Sequence, residues 1–224
     1  MTVFEVFFNM DVLVRAFPIL LTGLGMTLIL GTTAIVFGSF FGVVIAITRL
    51  YAIRPLQLLA IAFTDLARAM PVLVVLILIY YALPFAGIVL SSFASAAIAL
   101  SLVLGAYTAE VVRAGIQAVP KGQFEAADAL GIGFWLAMRK VILPQALRIV
   151  IPPHASNCVS IIKDTSLASV VAMSDLLKQA TDAQALFANP TPLIGAALIY
   201  VAILWPLVRL TSWLEHRFQR AYAR

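Results

Sequence analysis

The sequence predicts an all-α membrane protein: five transmembrane helices and a short helix in a cytoplasmic loop. Three observations carry this. Hydrophobic residues make up 63% of the 224 residues and charged residues only 11%, whereas a soluble domain averages about 25% charged. Mean hydropathy is +1.06. Long apolar segments recur along the chain, and its length accommodates about five, since one helical span needs roughly 20 residues. This composition argues against nucleic-acid binding and soluble catalysis.

Read as one transmembrane domain over residues 1–224, the chain divides into five segments. The first, 19–47, contains Gly23, Gly25, Gly31, Gly38 and Gly42, small residues that let helices approach closely in lipid. The second, 56–84, contains Asp65, Arg68 and Pro71. The third covers 92–112. The fourth, 141–162, is expected to break at Pro152-Pro153, because prolines lack a donor and oppose a helix before them. The fifth covers 193–214. The stretch before Phe17 has a weak interfacial-helix pattern.

Orientation follows from the basic residues. With the N-terminus outside, inner segments hold Arg49, Arg54, Arg113, Lys121, Arg139, Lys140, Arg217, Arg220 and Arg224, and outer ones only Arg15 and Lys178, with Lys163 at an outer helix end. Lys and Arg collect on the cytoplasmic side, so the C-terminus is expected there, and the net charge of +5 needs no anionic partner. Cys158 stands alone, which excludes an intrachain disulfide. Glu5 and Asp11 replace a basic n-region, so no cleavable signal peptide is expected. No internal repeat is evident, which argues against a self-contained secondary carrier.

The connection 120–140 has the strongest charge pattern. Pro120-Lys121-Gly122 turns the chain, and Gln123 to Leu130 favours helix through Glu125, Ala126, Ala127, Ala129 and Leu130. Glu125 lies early, where negative charge suits the helix dipole. Gly131 can supply a left-handed stop, after which Trp135 to Arg148 resumes as helix. Phe124 and Leu130 offer apolar contacts to a docking partner. Glu125 and Asp128 can pair with cations on that partner or with Arg139 and Lys140. The alternative is an amphipathic connector at the lipid headgroups.

Charges inside spans are costly and call for a role. Asp65 with Arg68, and Glu110 with Arg113, are each three apart and share a helix face, so each pair can neutralise itself. Beyond Pro152-Pro153 lie His154, Ser156, Asn157 and Ser160, then Lys163, Asp164, Thr165 and Ser166. This polar cluster can hold a zwitterion: Lys163, Thr165 and Ser166 for a carboxylate, Asp164 and free carbonyls for an ammonium. Equally, Lys163 can pair with Asp164 while the hydroxyls cap the next helix. His154 reads as a hydrogen-bonded structural residue, His216 as solvated, and Trp135, Trp205 and Trp213 as interface anchors. No phosphate-cradling Gly-Lys-Ser/Thr loop, catalytic constellation or metal-ligand spacing is present, so no catalytic or metal residues are expected.

Glu125-Ala126-Ala127, then Gly131, then Val141-Ile142-Leu143-Pro144 resembles the cytoplasmic EAA loop of ABC importer permeases, with Val141 where Ile is usual. Gly105-Ala106-Tyr107-Thr108-Ala109-Glu110-Val111-Val112-Arg113-Ala114-Gly115-Ile116 looks like the third-span signature of the polar amino-acid permeases, and Pro120 to Ala127 continues it. Lys163-Asp164-Thr165-Ser166-Leu167, Thr27-Leu28 and Arg68-Ala69-Met70-Pro71 fit the same subfamily, though Ser156 stands where Asn is usual. The resemblance covers nearly the whole chain.

It implies a type I importer permease in the bacterial cytoplasmic membrane that moves polar amino acids by alternating access. A second permease chain, identical or homologous, two ATPase subunits and an external amino-acid-binding protein would complete it. ATP and Mg would sit in the partner ATPases, with no cofactor in this chain. Gln123, Phe124, Glu125, Ala126, Ala127, Leu130 and Gly131 would receive the ATPase motion. Asn157, Ser160, Lys163, Asp164, Thr165 and Ser166 would border the solute path. Opines or other amino-acid derivatives would use the same architecture, and a stand-alone carrier or a membrane scaffold are the other classes.

Overall fold

A computed structural model describes the backbone of residues 7–222 and side chains up to residue 218. The stretch before Phe17 falls partly on residues 1–6, outside the described residues. The described chain is helical throughout, without strands. Its α-helices are α1 (Met10–Tyr51), α2 (Arg54–Ala69), α3 (Val72–Ile77), α4 (Ser92–Gln117), α5 (Lys121–Ala129), α6 (Phe134–Ala137), α7 (Leu143–Asp164), α8 (Leu176–Phe187) and α9 (Thr191–Tyr222). Wide π-turns at Leu78–Ala82 and Met138–Ile142, and tighter 3₁₀ turns at Leu83–Ala86 and Thr165–Val171, join some of them.

Among the described residues three helices are long and apolar enough to cross a membrane, Met10–Tyr51, Ser92–Gln117 and Thr191–Phe218, and the bent pair Arg54–Ala69 and Val72–Ala86 makes a fourth crossing if counted as one span. The first is 42 residues long, or about 63 Å at 1.5 Å per residue, well beyond the ~30 Å hydrocarbon layer. Asp11 in its first turn and Arg49 in its last both match the sign of the helix dipole.

Two expectations are corrected. The second segment is interrupted at Met70-Pro71 rather than running as one helix. Pro71 lacks a donor and disfavours α geometry in the residue before it, and its own carbonyl starts the next helix by accepting from Val74 and Val75. In the fourth segment, Pro152 and Pro153 both lie inside an unbroken α7. The helix therefore tolerates the loss of two ladder bonds, which leaves the carbonyls of Arg148 and Ile149 without their i+4 amides.

The chain divides into two compact units. The first comprises the described part of Met1–Phe37, with Met70–Ser101 and Val159–Leu207. Leu20, Leu176, Ala180 and Ala196 form its core, flanked by Leu24, Leu193, Ile199 and Tyr200. Close approach sets this packing: a Cβ on Gly23 would lie 2.8 Å from the Asp175 carbonyl oxygen, and Thr27 Oγ1 accepts from the Leu176 amide at 3.0 Å. Buried Asp175 caps α8 by accepting from the amides of Lys178 and Leu177.

The second unit comprises Gly38–Ala69, Leu102–Cys158 and the described part of Val208–Arg224. One cluster holds Ile45, Ala46, Ala60 and Ala109, and another Ile116, Val119, Met138, Ile142 and Ala146. Gly42 rests on Thr108 and the carbonyl of Gly105, and Phe41 meets Phe63 edge-on at 5.5 Å. The 120–140 connection belongs wholly to this unit.

Candidate coupling surface and charged sites

Helix α5 begins after Pro120, whose carbonyl accepts from Gln123 at 2.9 Å. It ends where Gly131 adopts φ +67°. Ile132 donates to Ala127 and Gly131 donates to Asp128, both at 2.9 Å, which is the Schellman arrangement that a left-handed glycine completes. Open space surrounds Gly131, so backbone conformation alone calls for glycine there.

The faces of α5 divide the predicted contacts. Phe124 packs inward on the Ile116–Val119–Met138–Ile142–Ala146 cluster, and Ala127 is buried beside it. Leu130 is 77% exposed. This corrects the expectation that Phe124 and Leu130 together face a partner: six residues at ~100° each put them on different sides of the helix. Glu125, Ala126, Asp128 and Gly131 are exposed with Leu130. The apolar surface continues across the turn through Phe134, Trp135 and Leu136, with Phe134 stacked edge-on against Trp135 and Tyr51. Gln123 accepts from Gln145 at 3.3 Å, tying α5 to the start of α7. Among the described residues no ion pair joins Glu125 or Asp128 to Arg139 or Lys140.

Of the two expected local pairs Glu110–Arg113 forms, and it is part of a larger network. Glu110 Oε2 accepts from Arg49 Nη1 at 2.8 Å, Arg113 binds the same carboxylate, and Arg68 approaches it to 3.7 Å. Arg68 also lies 5.9 Å from the Tyr107 ring centroid. The expected Asp65–Arg68 pair is thus replaced by Arg68–Glu110, because Glu110 is partly buried at a point where three arginines converge, while Asp65 is exposed. Arg49 was invisible to spacing arguments, since 61 residues separate it from Glu110. His154 is a second hub: Ser39 Oγ lies 3.1 Å from Nε2, Thr108 Oγ1 3.3 Å from Nδ1 and Cys158 Sγ 3.6 Å from Nε2.

The predicted solute residues differ in availability. Thr165 is fully buried and donates to Ile162 O at 2.7 Å, and Ser166 donates to Lys163 O at 2.8 Å. Their hydroxyls turn back onto their own helix, so Thr165 is not presented to a solute. Ser160 and Lys163 are exposed, and Asn157 and Asp164 are half-buried. No Lys163–Asp164 ion pair is formed among the described residues, and no described group of three His, Cys, Asp or Glu could hold a metal.

The family of binding-protein-dependent transport system inner membrane components matches residues 35–220. The chain belongs to that family. The permease is 34% identical over 220 residues to the probable amino-acid ABC transporter permease protein YckA of Bacillus subtilis, covering 98% of this chain and 96% of the relative. It is 35% identical to the probable glutamine ABC transporter permease protein GlnM of the same organism, over 96% of this chain and all of the relative. A crystal structure of an amino acid ABC transporter with histidines superposes with TM-score 0.87 at 36% identity, covering 97% of this permease and 100% of that chain. An inward-facing structure of the MetNI methionine ABC transporter shares the fold at TM-score 0.67 and 20% identity, covering 97% of this chain and 99% of that one.

The permease is therefore a multi-pass inner-membrane subunit, not an enzyme in itself: ATP hydrolysis lies in partner subunits. ATPase and binding-protein partners are general to the family.

Proposed function

We propose that this permease carries polar amino acids inward by alternating access, as one of two permease chains above two ATPase subunits that bind ATP and Mg. An external binding protein delivers the solute. Five crossings, with the N-terminus outside and the C-terminus in the cytoplasm, fit the distribution of Lys and Arg. The observation that carries the reading is the α5 helix stopped by Gly131, whose exposed Glu125, Ala126, Asp128 and Leu130 give a partner a rigid apolar-and-acidic face. Gln123, Phe124 and Ala127 anchor that helix from behind, so force applied outside reaches α7. The relatives' names support amino-acid cargo. Ser160 and Lys163, with Asn157, Asp164 and Ser166, border the solute path in this reading.

The test is ATP hydrolysis and uptake by the assembled transporter in nanodiscs and proteoliposomes, with its binding protein and a panel of amino acids and opines. One class of polar amino acid is expected to stimulate both activities, and Glu125→Lys with Gly131→Asp is expected to abolish stimulation while assembly persists. Uptake that persists without an ATPase subunit defeats the proposal.

A further inference from the structure

Within the second unit, a cavity of about 610 Å³ is lined by Ala118, Arg148, Ile149, Pro152, Pro153, Glu215 and Phe218. A smaller recess of about 340 Å³ shares Ala118, Ile149 and Pro153 with it and reaches Glu110. The walls are apolar except for one cation and one anion, Arg148 and Glu215. Among the described residues they form no ion pair with each other, and Glu215 Oε1 accepts from Ser156 at 3.3 Å. A third polar element comes from the backbone. Because Pro152 and Pro153 have no N–H, the carbonyls of Arg148 and Ile149 lack ladder partners, and both residues line this cavity. Irregular satisfaction of backbone at membrane depth persists where it borders protein or a water-filled cavity.

We propose that this cavity is an amino-acid station toward the cytoplasmic end of the permease. Arg148 takes the α-carboxylate, for which its planar fork is suited. Glu215, with the carbonyls of Arg148 and Ile149 that lack ladder amides, takes the α-ammonium. The apolar walls and Phe218 receive the side chain. A cation and an anion on an otherwise apolar wall match a zwitterion better than a singly charged solute, which would meet a like charge. The station deepens the amino-acid reading above and rests on it.

The test is equilibrium binding of radiolabelled L-glutamine, L-arginine and L-cystine to the purified full transporter without its binding protein, in phosphatidylglycerol nanodiscs. Arg148→Gln and Glu215→Gln are each expected to weaken binding at least tenfold while the assembled transporter, followed by size exclusion, is retained. Arg148→Lys is expected to recover part of the binding. The wild type is expected to prefer the amino acid over its α-carboxamide and its deaminated analogue. Arg148→Gln should lose the first preference and Glu215→Gln the second.

Unchanged affinity and preferences in both variants, with assembly confirmed by size exclusion, overturn the station while leaving the transport reading intact. Displacement of the amino acid by added phosphatidylethanolamine, with unaltered uptake in both variants, assigns the charges to a lipid headgroup and also overturns it. A wild-type transporter that neither binds nor takes up any amino acid defeats the underlying reading instead.

Discussion

Arg49, near the end of α1, donates to Glu110 of α4 at 2.8 Å. Glu110 is the carboxylate on which Arg68 and Arg113 also converge. Three cations around one anion hold together only while the anion is charged. Glu110→Gln is expected to lower the unfolding midpoint of the detergent-solubilised transporter, by the equivalent of roughly 1–3 kcal/mol for a partly buried pair broken on one side. Arg113→Gln, at the helix's own i+3 position, should cost less. Equal midpoints for wild type and Glu110→Gln in a thermal melt would refute the network.

At Gly131 the strain is conformational, so substitutions should sort by tolerance of positive φ. Gly131→Ala is expected to destabilise the α5 terminus by about 1 kcal/mol and to weaken binding-protein-stimulated ATPase, whereas Gly131→Asn should retain most of it. Steady-state ATPase in nanodiscs decides, and an Asn variant as impaired as Ala contradicts the left-handed requirement.

Two glycines of α1 should respond in opposite ways. A Cβ at Gly42 would sit 2.5 Å from Thr108 Cβ and 2.6 Å from the Gly105 carbonyl oxygen, whereas one at Gly25 meets nothing within 4 Å. Gly42→Ala is expected to lose assembled transporter by fluorescence-detected size exclusion. Gly25→Ala should match or slightly exceed the wild type, since alanine is favoured over glycine by roughly 1 kcal/mol in a helix.

Asp175 predicts a pH effect. Burial pushes its carboxyl up to about 6, against the amides of Lys178 and Leu177 that oppose the shift. A raised carboxylate means that the folded chain binds more protons than the unfolded one between the two values. Stability conferred here is therefore greatest in acid, falls as pH rises from about 4 to 6 and is flat above. Asp175→Asn keeps a capping oxygen and is expected to flatten that slope and raise the melting temperature at pH 7. A melt series from pH 4 to 8 checks both, with Lys178 and Tyr200, the neighbouring titratable groups, left in place.

The legible parts of this permease were local. The glycine stop at 131 could be read because a left-handed residue following good helix formers is a one-dimensional pattern. The 120–140 helix and the family likeness were legible for the same reason. The fates of Pro71 and of Pro152-Pro153 were not. Both carry the same donor loss, yet one interrupts the backbone and the others sit within α7, where surrounding structure decides. Arg68 could not be assigned its partner because Glu110 reaches it through tertiary packing, and spacing within one helix offered only Asp65. Thr165 looked available because its hydroxyl is polar, but a hydroxyl can satisfy itself on the preceding turn. The facing of Phe124 was decipherable by counting 100° steps but needed the buried cluster to say which side was inward.

The π-turn at Met138–Ile142 has a consequence for how the permease tolerates insertions and deletions. A π-turn accommodates one residue more than an α-turn, so it absorbs an extra residue without changing the phase between α7 and the exposed Phe134–Trp135–Leu136 ridge. Deleting one residue there would let the helix close to a regular winding and leave the ridge facing much the same way. The same deletion in a regular α-turn would rotate the ridge by about 100°. Indels within this short stretch would spare the surface the partner meets, where indels beside it would not.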